Sequence, residues 1–410
     1  MYRKYVETRG DFYLQNARFF FVCLLGTIGS LFSESYRAPV ESGKISIFLS
    51  RADNIPIESI EDAHDAYFEG YIQALIDMHY HEFRVMVLVK EHEVYLAHLP
   101  KNALTRSSIL SFVADIPGVT AVHEIDLVPE KEEKFREKYV SWPKMSGVWF
   151  PQTTQLFLPL VANPRQVTNS IGYRQGDNVI GKHVIPISLG DDFPLYRWLD
   201  VFWGGDLQIS IESGIWSVFD LNPKPNINGG PALVNTDFYV AIPLTAAVDA
   251  WAFRLRISHL SSHLGDEFMV NHPDVTRLNP SFEAIDFFVS YQALSSLRLY
   301  AGSGGLFDTD PSFPMKPLYL EYGAEYRFGG VKFHHQRLFG AFFLAAHFRT
   351  YQYLNYDFDG TFVGGYEFSQ LKGVGRKLRT LIAYHKGFSL EGQFMKDRTS
   401  YFEYQFCYGF

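Results

Sequence analysis

The residue types that could carry out chemistry are most concentrated between Arg256 and Glu267, in the segment RISHLSSHLGDE. His259 and Ser261 are two residues apart, so on a β-strand their side chains share one face. Histidine and serine side chains are typical of nucleophilic catalysis, in which a third group orients the imidazole. Three nearby side chains are candidates for that third group: Asp266, Glu267 and Asn271. The alternative is a strand that ends near Ile257, which would make this segment the polar rim of a loop.

The strand that would carry this pair alternates between two kinds of side chain. Its apolar face holds Trp251, Phe253, Leu255 and Ile257, and its opposite face holds Arg254 and Arg256. Two arginines on one strand face do not fit the core of a β-sandwich, but they fit the polar lumen of a barrel whose apolar face meets lipid. His259 and Ser261 share the apolar face, where polar groups cost free energy, so their position is unusual.

From Gln166 onward the chain repeats this alternation, with Gly, Pro and Asp turns between the segments. The segments number about twelve, and an even number is what single-chain bacterial barrels prefer. The sequence therefore predicts a mainly β chain in which residues 166–410 form a transmembrane antiparallel β-barrel of about 12 strands. Asp191–Gly205 is an exception, because it resembles a long aromatic connection where a short turn is expected. Four charged residues are expected either to line a channel or to close it by pairing across it: Arg254, Arg256, Glu321 and Glu325.

The last predicted strand, Ser400–Phe410, alternates aromatic residues and stops on a phenylalanine. One face holds Phe402, Tyr404, Phe406, Tyr408 and Phe410. This pattern resembles the β-signal that the outer-membrane assembly machinery reads, which would make that machinery and outer-membrane lipid partners of the chain. The alternative, an edge strand of a soluble sheet, would expose five rings and invite aggregation.

Composition and the first residues support an envelope protein. Aromatic residues make up 17% of the 410 residues, and barrels use such residues as girdles at the two membrane interfaces. The formal charge of -8 argues against a nucleic-acid partner. The apolar run Ala17–Phe32 is too short for a comfortable membrane helix, so we predict a signal peptide over residues 1–35 and a location in the bacterial outer membrane. An uncleaved anchor is the alternative.

Residues 36–130 alternate helix and strand patterns in the order α-β-β-α-β. With the segments VYLAHLP and IPGVTAVHEI, this order resembles the BON domain, which occurs in cell-envelope proteins and associates with membranes or phospholipids. We expect this domain in the periplasm; a generic small α/β module is the alternative. Residues 131–165 form a connector, whose second half is either a plug or a segment lying along the membrane surface.

The outward-facing His-x-Ser pair resembles two families of outer-membrane lipid hydrolases, the phospholipase A barrels and the lipid A deacylases. The resemblance implies that Ser261 is the nucleophile and His259 its base. The phospholipases use an asparagine and follow the pair with Asn-Gly, where this chain has Ser262-His263. The deacylases use an acid on a neighbouring strand, for which Glu283 is a candidate. If the chain is a lipid hydrolase, calcium is a cofactor to test; otherwise none is expected.

The order of segments as a whole resembles an uncharacterised family of similar length from chlamydiae and their relatives, defined only as a domain of unknown function. The segments that carry this resemblance are WPKMSGVWFPQTTQLFLPLVANPRQ and ISHLSSHLGDE. The first hypothesis is a barrel with a role in envelope structure, transport or surface interaction. The second is a lipid esterase that uses His259 and Ser261, and the third is a passive pore.

Overall fold

The computed structural model describes residues 60–125, 146–227, 229–333 and 338–410. The predicted signal peptide and the first half of the connector lie outside these ranges. Within the described ranges, no helix has the length and apolar character needed to cross a membrane.

The N-terminal domain has the predicted α-β-β-α-β order. Its elements are α1 (Ile60–His79), β1 (Met86–Lys90), β2 (Glu93–Ala97), α2 (Ala103–Ala114) and β3 (Ala121–Glu124). A tight turn joins β1 to β2, and its two residues, Glu91 and His92, both have positive φ, as type I′ hairpins require. Asn102 caps α2 by accepting a hydrogen bond from Thr105 N at 3.0 Å. The apolar faces of both helices cover the β1-β2-β3 sheet.

A closed antiparallel barrel follows, as the alternating segments predict. Among the described residues it has twelve strands: β5 (Asn169–Asp177), β6 (Gly181–Phe202), β7 (Gly205–Asp220), β8 (Ala232–Val248), β9 (Trp251–Leu264), β10 (Ser281–Gln292), β11 (Leu297–Thr309), β12 (Leu318–Arg327), β14 (Leu338–Tyr351), β15 (Asp359–Ser369), β16 (Lys377–Phe388) and β17 (Arg398–Gly409). Two short strands, β4 (Gly147–Trp149) and β13 (Val331–Phe333), pair with β6 and β14. The last barrel strand pairs with the first, Tyr404 opposite Tyr173, so the ring has no free edge.

The interpretation of Asp191–Gly205 as a long connection is wrong. β6 continues to Phe202 and turns into β7 through Trp203 and Gly204 alone. Pro194 hid the strand from a sequence pattern because proline cannot donate to a ladder, and it sits beside a β-bulge, where proline is tolerated.

The two ends of the barrel differ, and we call them the near end and the far end. The near end carries the short turns at 203–204, 249–250 and 293–296, together with the C-terminus. The far end carries the longer connections 221–231, 265–280 and 310–317, the second of which contains the short helix α3 (Asp266–Asn271). The asymmetry is not complete, because the far-end turn 178–180 is short and the near-end connection 370–376 is long.

The α/β domain lies at the near end. Lys101 Nζ donates a hydrogen bond to Trp203 O at 2.8 Å, and Ala103 N donates one to Asp249 O at 2.8 Å. Leu371 and Val374, from the near-end connection between β15 and β16, are buried in the hydrophobic core of the domain. The domain and the barrel therefore share a core as well as hydrogen bonds.

The barrel wall has an apolar outside and a polar inside. Large apolar side chains are exposed on the outer surface of the strands, among them Leu189, Ile215, Val240, Ile257, Leu320, Leu344, Ile382 and Phe402. Alternate residues, such as Glu212, Asp286 and Arg298, point inward and are buried. This arrangement is the reverse of a soluble protein and is typical of an outer-membrane-type barrel.

The C-terminal residue departs from the predicted aromatic face. Phe402 and Tyr408 are exposed on the wall as expected, but β17 ends at Gly409 and Phe410 is only 5% exposed. The Arg376 guanidinium lies 4.3 Å from the centre of its ring, and Phe410 O accepts a hydrogen bond from Arg379 at 2.8 Å. In the folded protein the terminal ring is therefore covered rather than displayed with the other aromatic side chains.

Candidate functional site

The charged residues of the lumen pair with one another along its inner wall. Arg256 contacts both Glu212 at 3.0 Å and Asp286 at 2.7 Å. Glu325 contacts Arg298 at 3.4 Å and Arg327 at 3.0 Å. Two further contacts extend the set: Arg254 with Asp286 at 3.6 Å and Glu321 with His347 at 3.4 Å. Arg254, Arg256, Glu321 and Glu325 are therefore all paired, but with residues of the same or nearby strands and not across the lumen.

The second half of the connector fills the lumen as a plug. Phe157 and Leu160 pack against Phe288 and Tyr300 of the barrel wall. Arg298 donates hydrogen bonds to the carbonyl oxygens of Leu158 at 2.7 Å and Pro159 at 2.8 Å, and Val161 N donates one to Glu325 at 2.9 Å. A cavity of about 90 Å³ is left beside this plug. Its volume has room for only a few water molecules.

The far end is closed by the connection between β16 and β17. Glu391 of this connection contacts Arg174 at 3.0 Å, and Arg174 also contacts Asp177 at 3.1 Å and Glu403 at 2.9 Å. Burial would raise the pKa of Glu391, but the cations Arg174 and Arg165 outweigh it and lower that pKa to about 2. The carboxylate therefore stays charged and holds the connection in place.

At the near end a buried ion pair joins the α/β domain to the barrel. Glu82 follows α1, Arg197 lies on β6, and both side chains are 0% exposed with 2.8 Å between them. The Glu82 carboxylate also accepts hydrogen bonds from Thr153 N at 2.6 Å and from Thr154 Oγ1 at 2.6 Å. One carboxylate thus ties together the domain, the start of the plug and the wall.

The predicted His/Ser pair lies on the outer wall near the far end. β9 runs to Leu264, so the alternative in which the strand ends near Ile257 is wrong. His259 faces outward beside Glu283 of β10, its directly paired residue, and the two side chains are 43% and 35% exposed. The distance from His259 Nδ1 to Glu283 Oε1 is 2.7 Å. An acid on a neighbouring strand therefore orients this imidazole.

Ser261 makes its hydrogen bond to a second histidine. Its Oγ lies 3.1 Å from His263 Nε2, and Arg277 Nη2 lies 3.3 Å from Nδ1 of the same ring. A guanidinium can only donate, so Nδ1 of His263 accepts and, in the neutral ring, Nε2 carries the proton. His263 then donates to Ser261 Oγ and cannot take the serine proton.

In the neutral ring of His259 the proton lies on the other nitrogen, Nδ1. Its Nδ1 donates to the Glu283 carboxylate, which leaves a lone pair on Nε2. Ser261 is the next outward residue along β9, about 7 Å further on. Because His263 donates to Ser261 Oγ, the Ser261 hydroxyl proton is not used in that hydrogen bond. Ser261, His259 and Glu283 thus lie on one outward patch, and the sequence pattern missed His263, which is the hydrogen-bond partner of Ser261.

The other three residues considered for orienting the imidazole do not contact His259. Asp266 and Glu267 are exposed in the first turn of α3. Asn271 is buried, and its Oδ1 accepts a hydrogen bond from Ile227 N at 2.9 Å. In the described part of the chain, no three or more His, Cys, Asp or Glu side chains are grouped so that they could hold a metal ion.

Fold and site together define a closed, plugged barrel of the outer-membrane type with a polar cluster on its outer wall. The chain belongs to a family of proteins of unknown function, DUF1207, whose model matches residues 81–410. The comparison with curated proteins finds no match.

Several solved barrels share the fold at low identity. Outer membrane phospholipase A from Escherichia coli is 12% identical, with 58% of this chain and 92% of that chain covered and a TM-score of 0.40. The transport unit of the autotransporter AIDA-I from Escherichia coli is 11% identical, with 62% and 93% covered and a TM-score of 0.33. The KdgM porin is 11% identical, with 59% and 99% covered and a TM-score of 0.27.

Proposed function

We propose that this protein is a lipid esterase of the bacterial outer membrane that works from the outer wall of its barrel. The observation that carries the proposal is the 2.7 Å contact between His259 Nδ1 and Glu283, with Ser261 as the next outward residue of the same strand. Exposed polar side chains on a lipid-facing surface are costly, and here they occur in the combination that acyl transfer needs.

The membrane location rests on the apolar wall, which lipid would cover. The near end, which carries short turns and the C-terminus, would face the periplasm together with the α/β domain, whose element order is that of a BON-like module. The far end would face outward. His259 and Ser261 would then lie at the level of the outer leaflet, where a lipid ester can reach them.

The residues would act in the following order. Ser261 Oγ attacks the ester carbonyl carbon while its proton passes to His259 Nε2, and Glu283 stabilises the imidazolium that forms. His259 then gives this proton to the leaving alkoxide as the carbon–oxygen bond of the ester breaks, which leaves an acyl group on Ser261. Water, deprotonated by His259, releases the fatty acid and restores the serine. His263 holds the Ser261 oxygen at the start of the cycle through its Nε2 proton.

Fatty-acid release from phospholipid or lipid A in mixed micelles, with and without calcium, tests this proposal. Ser261→Ala should lower kcat by roughly 10³-fold or more, and Glu283→Gln by a smaller factor because the base remains but loses its orienting carboxylate. Ser213→Ala, an outward serine on β7, is the matched control and should retain full activity. A folded wild-type protein that releases no fatty acid under any of these conditions would overturn the proposal.

A purely structural role is the second candidate, and the filled lumen together with the buried Glu82–Arg197 pair favours it. In that case the barrel anchors the α/β domain to the envelope. The same assay separates the two roles, because an anchor releases no fatty acid and is indifferent to Ser261→Ala.

A further inference from the structure

A groove runs along the outer wall where β11 carries small side chains. Ser303 and Gly305 face outward there, between larger side chains on both neighbouring strands. Gly305 lies between Ile285 of β10 and Leu318 of β12, and Ser303 lies between Phe287 and Leu320. The resulting groove has a volume of about 500 Å³, within the range of small-molecule sites.

The groove is one strand wide. Neighbouring strands are about 4.8 Å apart, so its two walls on β10 and β12 are separated by about 9.6 Å before their side chains are counted. A helix with its side chains is roughly 10–12 Å across and does not fit between them. A single extended hydrocarbon chain does fit, and the groove opens onto the same apolar surface that lipid would cover.

The groove also lies next to the His/Ser patch. Ile285, in its wall, is the next outward residue after Glu283, about 7 Å along β10. Leu255, which also lines the groove, is on the same outward face of β9 as His259 and Ser261. Tyr356 reaches it from the far-end connection between β14 and β15, so groove and patch occupy the same end of the wall.

We propose that this groove binds one acyl chain of a membrane lipid and holds the adjoining ester beside Ser261. The binding of the chain follows from the groove alone, whereas its use as substrate rests on the proposed esterase function. The floor of the groove is compatible with an apolar occupant. The Asp286 carboxylate beneath it is already paired with Arg256 at 2.7 Å and therefore needs no polar group from a ligand. The small residues of β11 thereby select for a chain and not for a bulkier ring system.

Photo-crosslinking with a phosphatidylcholine that carries a diazirine near the end of one acyl chain tests the groove without requiring turnover. The key variant is Gly305→Leu, because a side chain at this glycine would extend into open space. The matched control is Gly364→Leu on the outer face of β15, where the added Cβ meets only the tip of Leu344, at 3.2 Å. Heat-modifiable gel migration establishes that each variant is folded.

We expect crosslinks in wild type to concentrate on β10, β11 and β12. Gly305→Leu should reduce them roughly tenfold or more, since displacing even two methylene groups costs that much in affinity. Gly364→Leu and Ser261→Ala should leave them unchanged. Crosslinks spread evenly around the barrel, or unaltered by Gly305→Leu, would overturn the acyl-chain site. Concentrated crosslinks in a protein that releases no fatty acid would keep the site and refute only the esterase function.

Discussion

The buried pair between Glu82 and Arg197 predicts how firmly the α/β domain is held. In Glu82→Gln the shape of the side chain is kept, but the Arg197 cation stays at 0% exposure without its ion-pair partner. Its remaining partners are neutral: Gln208 Oε1, Thr154 Oγ1 and Thr154 O. Removing one partner of a buried ion pair costs about 3–5 kcal/mol. At 1.4 kcal/mol per factor of ten, the fraction of molecules with the domain released should rise by more than about 100-fold.

Trypsin digestion of the refolded protein in detergent measures this release when cleavage is followed at Arg84 and Arg106, which lie within the folded domain and are half-buried. Glu82→Gln should be cleaved at the α/β domain at least about 100-fold faster than wild type. The double variant Glu82→Gln/Arg197→Met should be cleaved more slowly than Glu82→Gln alone, since it removes the uncompensated cation. Equal cleavage of Glu82→Gln and wild type, or a double variant cleaved faster than the single one, would refute the reasoning.

Two further predictions concern the closed lumen and its far end. In planar bilayers the protein should show no steady conductance, because the plug packs against the barrel wall through Phe157 and Leu160. A stable open channel would contradict this, and a variant lacking residues 151–165 tests whether the plug is the barrier. The pKa of Glu391 lies at about 2, below its ordinary value of 4.5, so its contribution to stability is present above pH 4.5 and is lost as the pH falls toward about 2. A spin label at Asp397 should therefore gain mobility as the pH falls across that range. In the Glu391→Gln variant the same label should be mobile already at neutral pH. A label that stays immobile in Glu391→Gln would contradict the role of this carboxylate.

Alternation of apolar and polar residues was enough to predict all twelve barrel strands, because a strand between lipid and a polar lumen must change residue type at every step. The prediction failed at Pro194, where a proline beside a bulge interrupts the pattern within a continuous strand. It also placed Phe410 on the aromatic face, although the last residue turns away under Arg376. A residue beyond the end of a strand is not bound by the two-residue period.

The candidate site, too, could be predicted only in part from the sequence. His259 and Ser261 could be found because their spacing is local, two residues on one strand. Glu283 could only be a candidate among several, since its position beside His259 depends on the register between β9 and β10. The tautomer of His263 depends on Arg277, which reaches the ring from a far-end connection, and no pattern in the chain encodes that contact. The partners of the lumen charges are likewise set by register and by the plug.

The proposed esterase function requires Ser261 to be an activated nucleophile on the outer wall. Labelling of the folded protein with a fluorophosphonate that carries an alkyl chain tests it most directly, with mass spectrometry to locate the modified residue. We expect one label per chain, on Ser261, which His259→Ala abolishes and Ser213→Ala does not affect. An unlabelled protein, or a label distributed over other hydroxyl groups regardless of His259, would contradict it.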